Sequence, residues 1–269
     1  MTADLDAPRL VPNRMKEKFA AGERVFGVWI DSMRTPAIVR IAAAAGVDFV
    51  FIDMEHSSLS YETVGDMCEM ARACGVTPVV RPFTTDIASV GRLLDIGAQG
   101  VLFADVQSVD QVIAAREASF YPPAGKRGHT AASAAQDYRT GPGGAIKQAV
   151  NDATLLAIQI ESARGIEELD ALLAQGAVGF IEIGRGDLST DLGHPGETRH
   201  PDTLAAVDRV IGIAARHGVP VGTLCATLDD AEDMLARGMR SIVYPNERNQ
   251  LLSIYTQTMD ALHQLDARG

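Results

Sequence analysis

Phe49-Val50-Phe51-Ile52-Asp53-Met54-Glu55-His56-Ser57-Ser58 is the stretch from which the rest of this chain can be read. It begins as an apolar run, the pattern of a strand buried on both faces. It ends abruptly in two carboxylates and an imidazole. Asp53 and Glu55 are two residues apart, so an extended chain projects them from the same side. Charge at the end of a buried strand is costly unless it is paired or used. One reading is a cap and turn before the next helix. The other is an active site at the carboxyl end of a parallel strand.

Working outward, the same kind of segment recurs. Short apolar runs at 25–30, 49–54, 77–82, 100–104, 155–161, 179–184, 220–224 and 241–245 read as strands. Helical patterns lie between them at 36–45, 61–73, 87–95, 109–119, 165–173, 201–217 and 229–236, with a last amphipathic helix at 248–265. Pro36 opens the first of these and Gly46 closes it, as helix-end chemistry favours. Residues 1–22 read as a leader ending in a short helix, and 23–269 as one domain. Eight strand–helix units in a chain of 269 residues predict an α/β fold, a (β/α)8 TIM barrel. A doubly wound sheet alternates similarly, but no GxGxxG follows the first strand. Two stretches, 121–144 and 184–196, are rich in Gly, Pro or small residues and read as long loops, which in a compact domain are usually functional.

Composition narrows the function classes. The chain is 46% hydrophobic with a net charge of −11, which argues against a general nucleic-acid binder. No apolar run is long enough for a membrane span, and the N-terminus lacks the plan of a signal peptide. A cytoplasmic location is the default expectation. The three cysteines, Cys68, Cys74 and Cys225, form no CxxC pattern and are expected to be buried, inert thiols. The four lysines, Lys16, Lys18, Lys126 and Lys147, all fall outside the predicted strands, which disfavours imine chemistry on a barrel strand.

In a barrel, reacting groups sit at the carboxyl ends of the strands. Strand two ends in Asp53, Glu55 and His56, strand three in Arg81-Pro82, and strand five in Gln159 and Glu161. The loop after strand six carries Gly184-Arg185-Gly186-Asp187. Glu161 and Asp187 are the natural pair for a hard divalent cation, Mg2+ or Mn2+; structurally, they could be a strand-end ion pair and a helix cap. Arg81 is either one half of an ion pair with Asp53 or Glu55, or a guanidinium aimed at a developing oxyanion. His56, with Asp53 three residues before it, offers an oriented acid/base dyad. That assignment leaves Glu55 beside the site, paired with Arg81. The basic loop Tyr121-Pro122-Pro123-Ala124-Gly125-Lys126-Arg127-Gly128-His129-Thr130 is read equally as a gate, an anion contact or a subunit contact.

Taken together, Asp53-Met54-Glu55-His56, Val80-Arg81-Pro82, Tyr121 through Gly128, Gln159-Ile160-Glu161 and Ile183-Gly184-Arg185-Gly186-Asp187-Leu188-Ser189 resemble the HpcH/HpaI family of metal-dependent pyruvate aldolases. The resemblance runs from about Phe26 to the C-terminus. It implies a divalent metal, Mg2+ or Mn2+ before Co2+ or Zn2+, on Glu161 and Asp187. It implies that Arg81 stabilises an enolate, that His56 with Asp53 is the acid/base pair, and that Gln159 neighbours the metal. Backbone N–H groups at Gly186 and Asp187 would hold a carboxylate. It further implies a homo-oligomer, a hexamer built as a trimer of dimers with the last helix exchanged between subunits. Many relatives have Pro-Ala where this chain has Arg185-Gly186, and an arginine there either contacts an anionic substrate or points outward. The uncharged stretch 130–135 lacks the arginine that goes with acidic semialdehyde acceptors. The expected reaction is reversible cleavage of a 4-hydroxy-2-oxo acid to pyruvate, or an analogue such as hydroxypyruvate, and an aldehyde. Acyl-CoA lyase or synthase chemistry on the same enolate is the nearest rival. A non-catalytic 2-oxo-acid-binding barrel would be expected to lack one of these rim groups.

Overall fold

Strand β2 (Phe49–Asp53) is buried at every position, and its alternate residues serve two cores. In the computed structural model, which describes residues 10–83 and 87–267, Phe49 and Phe51 point into one cluster with Val25, Trp29, Val79, Leu102, Leu155, Phe180 and Val243. Val50 and Ile52 point the other way, into a cluster that includes Val39, Met67 and Cys68. The first is a barrel interior and the second is the layer between strands and helices.

The elements follow in order: α1 (Arg14–Ala20), β1 (Val25–Ile30), α2 (Ala37–Ala44), β2, α3 (Tyr61–Ala73), β3 (Thr77–Arg81), α4 (Val90–Asp95), β4 (Gly100–Phe103), α5 (Val109–Ser119), α6 (Gly143–Ala153), β5 (Leu155–Ile160), α7 (Ala163–Leu173), β6 (Phe180–Ile183), α8 (Arg185–Asp191), α9 (Pro201–Arg216), β7 (Val221–Leu224), α10 (Leu228–Ala236), β8 (Ser241–Tyr244) and α11 (Glu247–Asp266). The strands pair in sequence order, all parallel, and β8 pairs back onto β1 to close a (β/α)8 barrel. Side chains two apart on a strand share a face. The inward positions of Phe51, Val79, Ala157 and Phe180 therefore carry Asp53, Arg81, Gln159 and Glu182 into the mouth at the strands' carboxyl ends.

The interior is packed with rings. Phe51 meets Phe49 edge-on at 5.1 Å and Trp29 at 4.9 Å. Gly27 makes room for this: a Cβ there would lie 2.6 Å from the Phe49 ring. Helix α1 closes the opposite end, with Met15 fully buried and Phe19 stacked on Phe180 at 5.6 Å.

Several local expectations are corrected. The stretch 184–196 is not one loop, because α8 begins at Arg185, which is buried and anchored by side-chain bonds. Helix α6, opening on two glycines of poor helix propensity, has no counterpart in the sequence reading. Ile146 and Val150 hold it against Tyr121. The first turn of the segment at 87–95 is a 3-10 turn, Ile87–Ser89. Cys74 is exposed, since it follows the last turn of α3 on the solvent side, whereas Cys68 and Cys225 are buried. Burial pushes the Cys68 and Cys225 thiols up to about 12, so neither is a nucleophile. Part of the N-terminal leader, residues 1–9, lies outside the described residues. No described helix is long and apolar enough to cross a membrane.

Phe51→Ala is expected to cost about 3–5 kcal/mol, the range for deleting a buried ring. A urea midpoint unchanged by this substitution would show that the interior does not carry the fold.

Candidate active site

Asp53 and Arg81 face each other across β2 and β3 in register. Arg81 donates from Nε to Asp53 Oδ1 at 2.8 Å and from Nη2 to Oδ2 at 2.7 Å, a two-pronged fork. Its guanidinium lies over the Trp29 ring at 4.7 Å. Nη1 sits 3.2 Å from Glu55 Oε2 and donates to Gln159 Oε1 at 3.4 Å. Burial works against charge on both partners, but the pairing wins. Bonds from Arg81 and from the Glu55 N–H hold Asp53 below its ordinary range. Asp53, Glu55 and Glu161 hold Arg81 above its own.

Glu161 follows β5. Its Oε1 accepts from the Asp105 N–H at 2.8 Å and its Oε2 from Gln159 Nε2 at 2.5 Å. Burial, and then the negative charge of Asp187, push its carboxyl up to about 7. Asp187 lies in the first turn of α8. Gly184, between β6 and α8, lies against Glu161 and Gln159: a Cβ there would come 2.5 Å from Glu161 Oε2 and 2.7 Å from Gln159 Nε2. Two carboxylates that resist being ionised together fit a hard divalent cation, which needs oxygen donors and neutralises both.

Beside them is a cleft of about 430 Å³ lined by Trp29, Asp53, His56, Arg81, Gln159 and Glu182, with Arg185, Gly186 and Arg248 on its far side. Glu161 and Asp187 are not among its lining residues, but Gln159, which bonds Glu161, and Gly186, next to Asp187, are. His56 lines the cleft but is 72% exposed, with Nε2 3.9 Å from Glu55 Oε2. The expected His56–Asp53 pairing is not formed, because Arg81 and the Glu55 N–H occupy the Asp53 oxygens. The expected Glu55–Arg81 contact is present. Arg185 does not point outward. It is buried, forked onto Asp230 at 3.0 and 2.5 Å, and bonded to Thr223 Oγ1 and the Leu224 carbonyl. No residue of 121–135 lines the cleft. Lys126 there pairs with Glu117, and Arg127 with Asp95.

Glu182 has no place in the sequence reading of the site. It is 2% exposed, and its Oε2 has no hydrogen-bond partner. Burial pushes its carboxyl up to about 8, although Arg185 and Arg81 pull it down. The available signal was an acidic residue inside an apolar strand, two positions after an inward phenylalanine.

A parallel barrel whose mouth combines a buried arginine with two crowded carboxylates has the equipment of an enzyme that handles small anionic substrates. The chain belongs to the HpcH/HpaI aldolase/citrate lyase family, whose sequence profile matches residues 25–245. It is 30% identical over 253 residues to 2-keto-3-deoxy-L-rhamnonate aldolase of Shigella boydii, covering 91% of this chain and 94% of that one. It is 32% identical over 239 residues to hydroxypyruvate/pyruvate aldolase of Paraburkholderia phytofirmans, covering 86% and 90%. The crystal structure of an HpcH/HpaI aldolase from Desulfitobacterium hafniense superposes with a TM-score of 0.87 at 31% identity, covering 92% of this chain and 96% of that one.

A carboxyl raised from 4.5 to about 8 by folding keeps its proton in the native state where the unfolded chain has lost it. Its contribution is therefore full at low pH and falls as pH rises through that window. Denaturation midpoints of wild type minus Glu182→Gln should decrease from pH 4.5 to 8. A flat difference would place the Glu182 proton elsewhere.

Proposed function

We propose that the chain is a divalent-metal-dependent aldolase that reversibly cleaves a 4-hydroxy-2-oxo acid to pyruvate, or hydroxypyruvate, and an aldehyde. The observation that carries this reading is the buried Arg81, held over the Trp29 ring by Asp53, bonded to Gln159 and under the influence of the Glu161 charge. Such a guanidinium is fixed before substrate arrives, so no reorganisation is needed when charge develops beside it.

Glu161 and Asp187 would hold the metal, Mg2+ or Mn2+ by the hardness of their oxygens. When bound, it supplies Lewis-acid polarisation of the 2-oxo acid. The N–H groups of Gly186 and Asp187, at the start of α8, receive the substrate carboxylate, for which a helix N-terminus is suited. His56, at the open side, takes the proton of the 4-hydroxyl as the C3–C4 bond breaks. The electron pair moves onto the keto oxygen as the enolate forms, and Arg81 donates hydrogen bonds to it. Solvent then delivers a proton to C3 to give the methyl group of pyruvate, and His56 returns the proton it took to solvent. Asp53 acts in this scheme by positioning Arg81 rather than His56, and Glu55 supports the same guanidinium.

The apolar residues exposed along α11, Leu252, Ile254, Tyr255, Met259, Leu262 and Leu265, support a homo-oligomer that exchanges this helix, a hexamer in the family pattern. Leu252→Glu combined with Leu262→Glu should lower the mass seen by light scattering. An unchanged mass would place the contact elsewhere.

The catalytic reading is tested by exchange of pyruvate C3 protons in D2O with Mg2+ or Mn2+. Arg81→Ala should lose at least about 100-fold, the scale of removing one oxyanion donor, and exhaustive EDTA treatment should abolish exchange. Exchange that survives either treatment would sink the scheme.

A further inference from the structure

Glu182 enters the barrel mouth from β6 in the same layer as Gln159 of β5, its register partner. Phe180, two residues earlier, points into the interior, so Glu182 continues the inward face and lines the cleft at its floor. The protein leaves this carboxyl short of partners. The residue is 2% exposed and its Oε2 has no hydrogen-bond partner. The charges of Arg185 and Arg81 and the Leu224 N–H act on it, but burial outweighs them.

The side-chain donors around it are committed elsewhere. Arg81 is forked onto Asp53, and its remaining nitrogen serves Glu55 and Gln159. Arg185 is spent on Asp230, Thr223 and the Leu224 carbonyl. Gln159 gives its amide to Glu161, the Trp29 indole bonds Asp53, and the Thr223 hydroxyl donates to the Ile183 carbonyl. A buried polar atom left unpaired is costly, and at the floor of a cleft a ligand can supply what the fold does not. The character of the missing partner follows from the carboxyl. Burial holds it neutral, so it does not repel an anionic substrate. A neutral carboxyl both donates and accepts, which matches a hydroxyl group.

Position says which hydroxyl. His56 and Arg248, 72% and 59% exposed, mark the open side of the cleft, which an entering or leaving aldehyde meets. Glu182 lies at the buried floor beside Gln159, the side chain that bonds both Arg81 and Glu161. On the function proposed above, on which this inference rests, the 2-oxo acid lies there, and the substituent it can turn toward Glu182 is the one on C3. We propose that Glu182 is a specificity-determining residue that binds a hydroxyl on C3, so that hydroxypyruvate is preferred to pyruvate and a 3,4-dihydroxy-2-oxo acid to its 3-deoxy counterpart. Cleavage of the dihydroxy acid between C3 and C4 followed by protonation at C3 gives hydroxypyruvate and the aldehyde. A site built to bond a hydroxyl disfavours the analogue that lacks it, because the buried group then stays unpaired.

The test is calorimetric titration of hydroxypyruvate, and separately pyruvate, into the Mn2+-loaded full chain. The wild type should bind hydroxypyruvate about 10-fold more tightly, the scale of one well-made hydrogen bond to an otherwise unpaired buried group. Glu182→Met, of similar length but unable to form that bond, should remove the preference, with folding checked by circular dichroism. Glu182→Gln, which keeps the shape and a hydrogen-bonding group, should retain most of it. Equal binding of the two acids by the wild type, binding of neither, or a preference unchanged in Glu182→Met overturns the inference. The wild-type comparison needs no variant to fold, so the test holds even if Glu182→Met does not. Exchange of C3 hydrogens in D2O, read on both acids in parallel, separates the two proposals. A preference that depends on Glu182 without exchange of either acid sustains this inference and sinks the aldolase scheme. Exchange of both acids with a preference indifferent to residue 182 does the reverse.

Discussion

The fork between Asp53 and Arg81 is the constraint on which the barrel mouth depends. Both side chains are almost wholly buried, at 2% and 8% exposure. Without Asp53, Arg81 would keep only its ion-pair contact to Glu55 and lose the two-pronged part of its compensation, a loss of several kcal/mol rather than the small effect of a surface pair. The fork also sets direction. It presses the guanidinium onto Trp29 and turns Nη1 toward Glu55 and Gln159. Gln159 then spends its amide hydrogen on Glu161. One ion pair thereby orders side chains from β1, β2, β3 and β5.

Charge is balanced unevenly around the rim. On the β2–β3 side the carboxylates have their cation. On the β7 side Arg185 is consumed by Asp230, with Arg199 behind it. On the β5–β6 side no cation among the described residues forms an ion pair with Glu161 or Asp187, and Glu161 is pushed up to about 7 by burial and that crowding. The same protein thus neutralises two regions of its mouth internally and leaves the third needing a positive charge. Arg185 in the glycine-rich turn, which from sequence alone either contacts an anionic substrate or points outward, is bonded internally to Asp230 and the Leu224 carbonyl.

Much of this was legible from residue order, because the barrel is governed by a period of two. The parity that buries Phe49 and Phe51 also places Asp53 in the mouth, and the same count applied to the other strand ends found Arg81, Gln159 and Glu161. Partner choice was legible only as alternatives: an Arg81–Asp53 ion pair stood beside the His56–Asp53 dyad, and the register between strands that decides for the former is not written in spacing along one of them. Glu182 was hidden for a different reason. An acidic residue within an apolar run looks like an interruption until its neighbour's direction is known. The part played by the Asp105 N–H depends on a backbone turn with φ 47°, which side-chain identity does not announce. Helix α6 has no counterpart among the predicted segments: it opens on two glycines, and what holds it is packing of Ile146 and Val150 against Tyr121.

The start of α11 is tied to the turn after β1, across the β8–β1 seam that closes the barrel. Glu247 accepts the N–H groups of Asp31, Ser32 and Met33 after β1, and Arg248 reaches Asp31 while lining the cleft. The remainder of the helix runs away from the barrel with its apolar residues uncovered. The helix that brings Arg248 into the cleft is thus fastened at its first turn and not along its length, so the position of Arg248 rests on Glu247 and Asp31.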